Sequence, residues 1–307
     1  MAKRDFLADT DFTPGELEQL FQLTARLKAE PVAFQQALAG RTLAMIFEKS
    51  STRTRVSFEA GMFQLGGHAL FLSSRDIQLG RGEAIEDTAR VLARYVDVIM
   101  ARTFAHQTVV DLARYAGVPV INGLSDDLHP CQALADFFTL REIFGSLDGR
   151  KLAYVGDGNN VAHSLLLMAP AVGMDIAVAS PSGYRPKEMY LAEAQRLAID
   201  RGTRVSVTES PQEAVEGASA VYTDVWASMG QEGEAEARRQ AFAGFEVTAD
   251  LMSKAQPEAV FLHCLPCHRG EEVAAEVVDG PRSRVFDEAE NRMHVQKALL
   301  VTLLQGQ

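Results

Sequence analysis

A chain of 307 residues is too long for one ordinary core and suits two domains of about 150 residues each. With 47% hydrophobic and 23% charged residues it has the balance of a globular protein, and no apolar run reaches the roughly 18 residues of a membrane-spanning helix. A net charge of −11 repels nucleic acid and anionic membrane, so an anionic ligand must be held by a local group of donors against the global field.

The opening Met1-Ala2-Lys3-Arg4-Asp5-Phe6 lacks the apolar stretch of a secretory signal, which makes the cytoplasm the expected compartment. Short apolar runs predict strands at Thr42–Phe47, Val96–Ala101 and Val118–Ile121. Helical spacing falls between them, over Val56–Leu65, Ala84–Arg94 and Val109–Ala116. A long helix is expected over Gln132–Ile143, after which the pattern restarts. Strands follow at Leu152–Val155, Asp175–Ala179, Arg204–Val207, Ala220–Thr223 and Ala259–Leu262. The helices among them are Val161–Val172, Lys187–Arg201 and Val273–Val278, and Glu288–Leu304 closes the chain.

Apolar strands without an in/out period, alternating with helices, predict an α/β protein. Two domains are expected, each a mainly parallel sheet flanked by helices, joined by interdomain helices. The first spans 1–140 together with the C-terminal helix at about 288–307, and the second spans 141–287. Ligands of such sheets sit beyond the carboxyl ends of the strands, so the loops there should carry the chemistry.

Lys49-Ser50-Ser51-Thr52-Arg53-Thr54-Arg55 runs from the first strand straight into a helix. Hydroxyl residues there cap the helix, its free N–H groups and dipole favour an anion, and Arg53 adds a fork matched to phosphate oxygens. Taken singly, such a run is an ordinary cap. Four more strand-end clusters follow: Met100-Ala101-Arg102-Thr103, His129-Pro130-Cys131-Gln132, Asp224-Val225-Trp226-Ala227-Ser228-Met229-Gly230 and His263-Cys264-Leu265-Pro266-Cys267-His268-Arg269-Gly270. Cys264-Leu265-Pro266-Cys267-His268 has the spacing of a haem attachment or half a zinc site. A c-type haem would need export, and the remaining cysteine, Cys131, belongs to another turn. Gly156-Asp157-Gly158-Asn159-Asn160-Val161 offers two glycines of a dinucleotide fingerprint, but its third position is Val161 and the next strand ends at Ser180-Pro181-Ser182 without an acid.

In order and spacing these clusters resemble the transcarbamoylase family, specifically its ornithine-using branch, over essentially the whole chain. S-T-R-T-R and H-P-x-Q are shared across that family, while D-x-x-x-S-M-G and H-C-L-P point to ornithine. The resemblance implies transfer of the carbamoyl group of carbamoyl phosphate to L-ornithine, a step of arginine metabolism, in the biosynthetic direction. The first domain would bind carbamoyl phosphate and the second ornithine. It implies a homotrimer, with no cofactor and no metal. Ser51, Thr52, Arg53 and Thr54 would hold the phosphate. Arg102 would bridge phosphate and carbonyl oxygen, and a neutral His129, at the start of a helix opened by Pro130, would donate to that oxygen. Gln132 and Leu265 would meet the carbamoyl NH2, while Arg292 and Gln78, the latter on a loop lent to a neighbouring subunit, would also reach carbamoyl phosphate. Asp224 would pair with the α-ammonium of ornithine, with Asn160, Ser228 and Met229 completing the clamp. Cys264 is assigned to carbamoyl phosphate binding and to catalysis, where its thiolate could help deprotonate the δ-ammonium. Acetylornithine and putrescine are the alternative acceptors, and a nicotinamide-dependent dehydrogenase is the reading from another class. Cys131, His68, His106, His163 and His294 read as structural.

Overall fold

Apolar runs too short for helices become strands that pair in parallel, giving two separate sheets in the computed structural model, which describes residues 3–76, 82–227, 230 and 232–305. One compact unit comprises Met1–Ala135 with Asn291–Gln307, the other Asp136–Glu290.

The first unit opens with α1 (Pro14–Ala29), a helix absent from the sequence expectations. Thr13 and Glu16 cap it reciprocally: the Glu16 N–H donates to the Thr13 hydroxyl, and the Glu16 carboxylate accepts the Thr13 N–H. Then come β1 (Thr42–Phe47), α2 (Thr52–Gln64), β2 (His68–Ser73), α3 (Ile85–Leu92), β3 (Val98–Arg102), α4 (His106–Tyr115), β4 (Val120–Leu124) and α5 (Pro130–Phe144). The sheet order is β2-β1-β3-β4, with Leu43 opposite Val98 and Ile99 opposite Val120. Phe6 adds a parallel bridge to Ile121 outside β4. Ala44, Ile46, Ile99 and Ala101 point from the sheet into a core closed by Val109 and Leu112 of α4. β2 also escaped the sequence reading, because an edge strand with alternating exposure lacks the continuous apolar run of its neighbours.

The second unit holds β5 (Lys151–Val155), α6 (Asn160–Ala171), β6 (Asp175–Ala179), α7 (Glu188–Arg201), β7 (Val205–Thr208), α8 (Pro211–Val215), β8 (Ala220–Tyr222), α9 (Ala235–Ala241), α10 (Ala249–Met252), β9 (Val260–Leu262) and α11 (Ala275–Val278). Its sheet runs β7-β6-β5-β8-β9. Ala153, Val155, Val221 and Phe261 pack there with Phe242, Phe245 and Trp226. The unit boundaries fall inside α5 and inside α12 (Val285–Gln305).

Each sheet grows outward in both directions from a central pair, β1 and β3 in one, β5 and β8 in the other. At such a switch point the loops after the two strands diverge and leave a crevice at their carboxyl ends. The loops that diverge are Glu48–Ser51 and Thr103–Ala105 in the first unit, Gly156–Asn159 and Thr223–Trp226 in the second.

Candidate active site

In the first unit α2 begins at Thr52, four residues before the apolar spacing suggested, because Ser51 caps it: its hydroxyl accepts the Thr54 N–H at 3.2 Å and lies 3.1 Å from the Thr54 hydroxyl. Thr52, Arg53 and Thr54 therefore occupy the first turn, where backbone N–H groups lack carbonyl partners. Thr52 and Arg53 are exposed and Thr54 is buried. The other arginine of the motif, Arg55, is engaged elsewhere, lying over the Phe71 ring and 3.0 Å from Glu59. Arg102 closes β3 and is buried, its carbonyl accepting the Glu48 N–H across the switch point at 2.8 Å. His129 immediately precedes α5, and its carbonyl accepts the N–H groups of Gln132 and Ala133. Burial, then the positive charges of Arg292, Arg102 and Arg53, hold the His129 imidazole well below its usual range, which keeps it neutral. Arg292 donates through Nη1 to the Gln132 amide oxygen and through Nη2 to the Thr54 hydroxyl at 3.4 Å, while its buried Nε has no acceptor among the described residues. The Gln132 oxygen, expected to meet a carbamoyl NH2, thus already spends one lone pair on Arg292. Three guanidinium groups around a neutral imidazole make a local anion site in an acidic protein.

In the second unit Gly158 lies so close to the 185–186 backbone that a Cβ there would sit 2.1 Å from the Pro186 nitrogen. Asn159 then caps α6, its Oδ1 accepting from the Val161 and Ala162 N–H groups at 2.9 and 3.2 Å, and its Nδ2 donating to Asp224 Oδ2 at 2.8 Å. Asp224 is buried, and its Oδ1 accepts the Val225 N–H at 2.8 Å and the Cys264 thiol at 3.1 Å. Asn159, the neighbour of the Asn160 expected in the clamp, donates to Asp224, and Asn160 occupies the first position of α6 and is half-buried. The expected Cys264 thiolate is disfavoured here. Burial first, then the charge of Asp224 and the hydrogen bond to it, push the thiol well above its usual range, and its Sγ donates to Asp224 Oδ1.

Two further residues brace these loops. Arg238 donates from Nη1 to Asp157 Oδ2 and to the Trp226 carbonyl, both at 2.8 Å, tying the loop after β5 to the loop after β8. Burial raises the Asp157 carboxyl to about 6 despite that arginine. Leu265 adopts φ 57, the left-handed region, directly after Cys264. Gln78, Ser228 and Met229 lie outside the described residues. Cys131 is a buried core thiol pushed up to about 12 by burial, and the His163 Nε2 accepts the Lys187 N–H at 2.9 Å, both structural roles.

Donor atoms of Asp224, His263 and Cys264 lie within 4.8 Å of one another, near enough to share an ion, as do those of His268, Glu271 and Glu272. Most of these atoms are already engaged. Cys264 donates to Asp224, His263 accepts the Leu265 N–H and faces Glu272, and Glu271 pairs with Arg239 at 3.2 Å.

Family models match both parts of the chain. The carbamoyl-P binding domain of aspartate/ornithine carbamoyltransferase matches residues 4–142, and the Asp/Orn binding domain matches residues 148–303. Ornithine carbamoyltransferase of Anoxybacillus flavithermus is 59% identical over 303 residues, covering 98% of this chain and 96% of that protein. The Pyrococcus abyssi enzyme of the same name is 54% identical over 308 residues, covering 99% and 96%. Among solved structures, ornithine carbamoyltransferase from Pyrococcus furiosus superposes with a TM-score of 0.96 at 52% identity, covering 100% of this chain and 98% of that one. Anabolic ornithine carbamoyltransferase from Campylobacter jejuni gives 0.94 at 41% identity, covering 99% and 100%.

Proposed function

The chain belongs to the aspartate/ornithine carbamoyltransferase family, and from that premise we propose that it transfers the carbamoyl group of carbamoyl phosphate to the δ-amine of L-ornithine, giving L-citrulline and phosphate. It is a transferase, which removes the dehydrogenase alternative. One observation carries the choice of acceptor: a buried carboxylate, Asp224, fixed by Asn159 and Cys264 at the switch point of the second sheet. An anion there suits the α-ammonium of ornithine. It would repel the second carboxylate of aspartate, it would find no α-ammonium on acetylornithine, and putrescine has no carboxylate for the rest of the clamp.

On this reading Ser51, Thr52, Arg53, Thr54 and Arg292 hold the phosphate, Arg102 bridges phosphate and carbonyl, and neutral His129 donates to the carbonyl oxygen as charge develops. Fixed donors of that kind contribute about 2.7–4 kcal/mol each. Gln132 and Leu265 orient the carbamoyl NH2, and Asn160, Ser228, Met229 and Gln78 stay in the proposal on resemblance. The δ-nitrogen attacks the carbamoyl carbon, the bond from that carbon to the phosphate oxygen breaks, and the departing phosphate can take the released proton. No atom changes its oxidation state, so the step needs no redox cofactor. Cleavage of a mixed anhydride favours citrulline, which supports the biosynthetic direction, as does the likeness to the anabolic enzyme of Campylobacter jejuni.

The homotrimer stays in the proposal on resemblance; exposed apolar side chains on α2 and the edge strand β2, Val56, Phe63 and Leu70, support association of some kind. A sedimentation mass of one 33.5 kDa chain would contradict it. No helix is long and apolar enough to cross a membrane among the described residues, which fits the proposed cytoplasmic setting. The deciding assay offers carbamoyl phosphate with ornithine, acetylornithine or putrescine in turn. Citrulline from ornithine alone is expected, and no product from any of the three would sink the proposal.

A further inference from the structure

Two glutamates with no exposed surface lie behind the strand end that carries Cys264. Glu288 accepts the His263 backbone N–H at 2.9 Å and the Tyr222 hydroxyl at 3.2 Å, anchoring the chain as it leaves β9. Glu272 reaches further along the turn. Its Oε1 faces His263 Nε2 at 3.2 Å, and His263 Nδ1 accepts the Leu265 N–H at 2.9 Å. An imidazole that accepts at Nδ1 carries its proton on Nε2, so the ring is held in one tautomer with its N–H directed at Glu272. The same Oε1 accepts the His268 N–H at 2.5 Å, so one carboxylate ties down both ends of the 263–268 turn.

Leu265 is the residue that needs this support. Among the described residues it is the only non-glycine with positive φ, a conformation that crowds Cβ against the following carbonyl and persists only where the surroundings impose it. A turn that needed only apolar packing would not bury a carboxylate there, since an unpaired one is costly. We propose that Glu272 is a positioning residue for carbamoyl transfer: through the His263 imidazole it fixes the backbone at Leu265 and so aims Cys264 at Asp224. The role presupposes the reaction proposed above.

Glu272→Gln and Glu272→Asp separate acceptor geometry from charge. Glutamine keeps an oxygen at the same reach and can place its NH2 toward His268 Nδ1, which lies 3.7 Å from Glu272 Oε2. Aspartate keeps the charge but falls one methylene short of His263. For Glu272→Gln, kcat/KM for ornithine should stay within about threefold of wild type, whereas Glu272→Asp should lose roughly tenfold or more, the scale of a misplaced site. Inhibition by inorganic phosphate should be unchanged in both. Leu265→Gly in the Glu272→Asp background should lessen the second loss, because glycine takes positive φ unaided. Glu272→Asp active with Glu272→Gln impaired, equal values for the two, or strictly additive losses with Leu265→Gly would each overturn the proposal. Wild type that makes no citrulline counts against the carbamoyl-transfer reading instead. The tie itself is then read from the ring 15N shifts of His263: a neutral ring protonated at Nε2 is expected, and protonation at Nδ1 overturns it.

Discussion

Asn159 serves two strand ends at once, capping α6 with its Oδ1 and donating to Asp224 Oδ2 from its Nδ2 at 2.8 Å. Asn159→Ala removes both contacts. The lost cap should cost about 1 kcal/mol of stability. Loss of a hydrogen bond to a buried charge, about 1.5–3 kcal/mol, should raise the ornithine KM by roughly one to two orders of magnitude. Inhibition by inorganic phosphate should not change. Steady-state kinetics with both substrates varied would show this, and an ornithine KM at the wild-type value would detach Asn159 from the acceptor site.

The role of Asn159 was not legible beside Asn160 for a simple reason: which asparagine caps a helix depends on where the helix starts, and apolar spacing sets that start only to within a few residues. The buried central strands were readable because they are apolar on both faces, as in β1 and β5. The half-exposed edge strand β2 was not. The signal for α1 was present in Thr13-Pro14-Gly15-Glu16, a capping box with proline at the first helical position. The protonation state of Cys264 was out of reach, because its causes are burial in the folded chain and then Asp224, forty residues earlier in the sequence. Glu272 and Glu288 were missed because they act on H-C-L-P from outside that motif, Glu288 through the His263 N–H and Glu272 through the His263 ring.

Asp224→Asn tests the link to Cys264 directly. With the carboxylate gone, burial remains but the nearest negative charge does not, so the thiol should ionise at lower pH than in wild type. Alkylation of Cys264 followed from pH 7 to 10 should show its midpoint move down, and ornithine binding should weaken. An unchanged midpoint would mean that burial alone holds the thiol protonated.

Arg292 reaches both Gln132 and Thr54, a geometry that uses the two ends of its fork. Arg292→Lys keeps the charge but cannot span both partners. It should lower kcat/KM for carbamoyl phosphate by about tenfold or more, and Arg292→Ala by about 10²–10³. Lysine performing as well as arginine would reduce Arg292 to a point charge.

The pH dependence of stability should carry the signature of His129. The imidazole is buried, and the charges of Arg292, Arg102 and Arg53 add to the effect, so in the folded chain it stays neutral well below its ordinary pKa of about 6.5. In the unfolded chain it takes a proton near pH 6.5. Below that value the unfolded state therefore binds more protons, ν_U − ν_N is positive, and stability is lost as pH falls. The loss approaches about 1.4 kcal/mol per pH unit for this one group. Asp157, raised to about 6, works in the opposite sense over part of the same range, so total stability alone does not isolate His129. The difference between wild type and His129→Gln does, because Asp157 is common to both. Denaturant titrations at steps from pH 7.5 to 5 should show the wild-type advantage over His129→Gln shrink once pH drops below about 6.5. A difference that stays flat across that range would mean that His129 titrates alike in the folded and unfolded chains, and the neutral donor assigned to the carbonyl oxygen would lose its electrostatic basis.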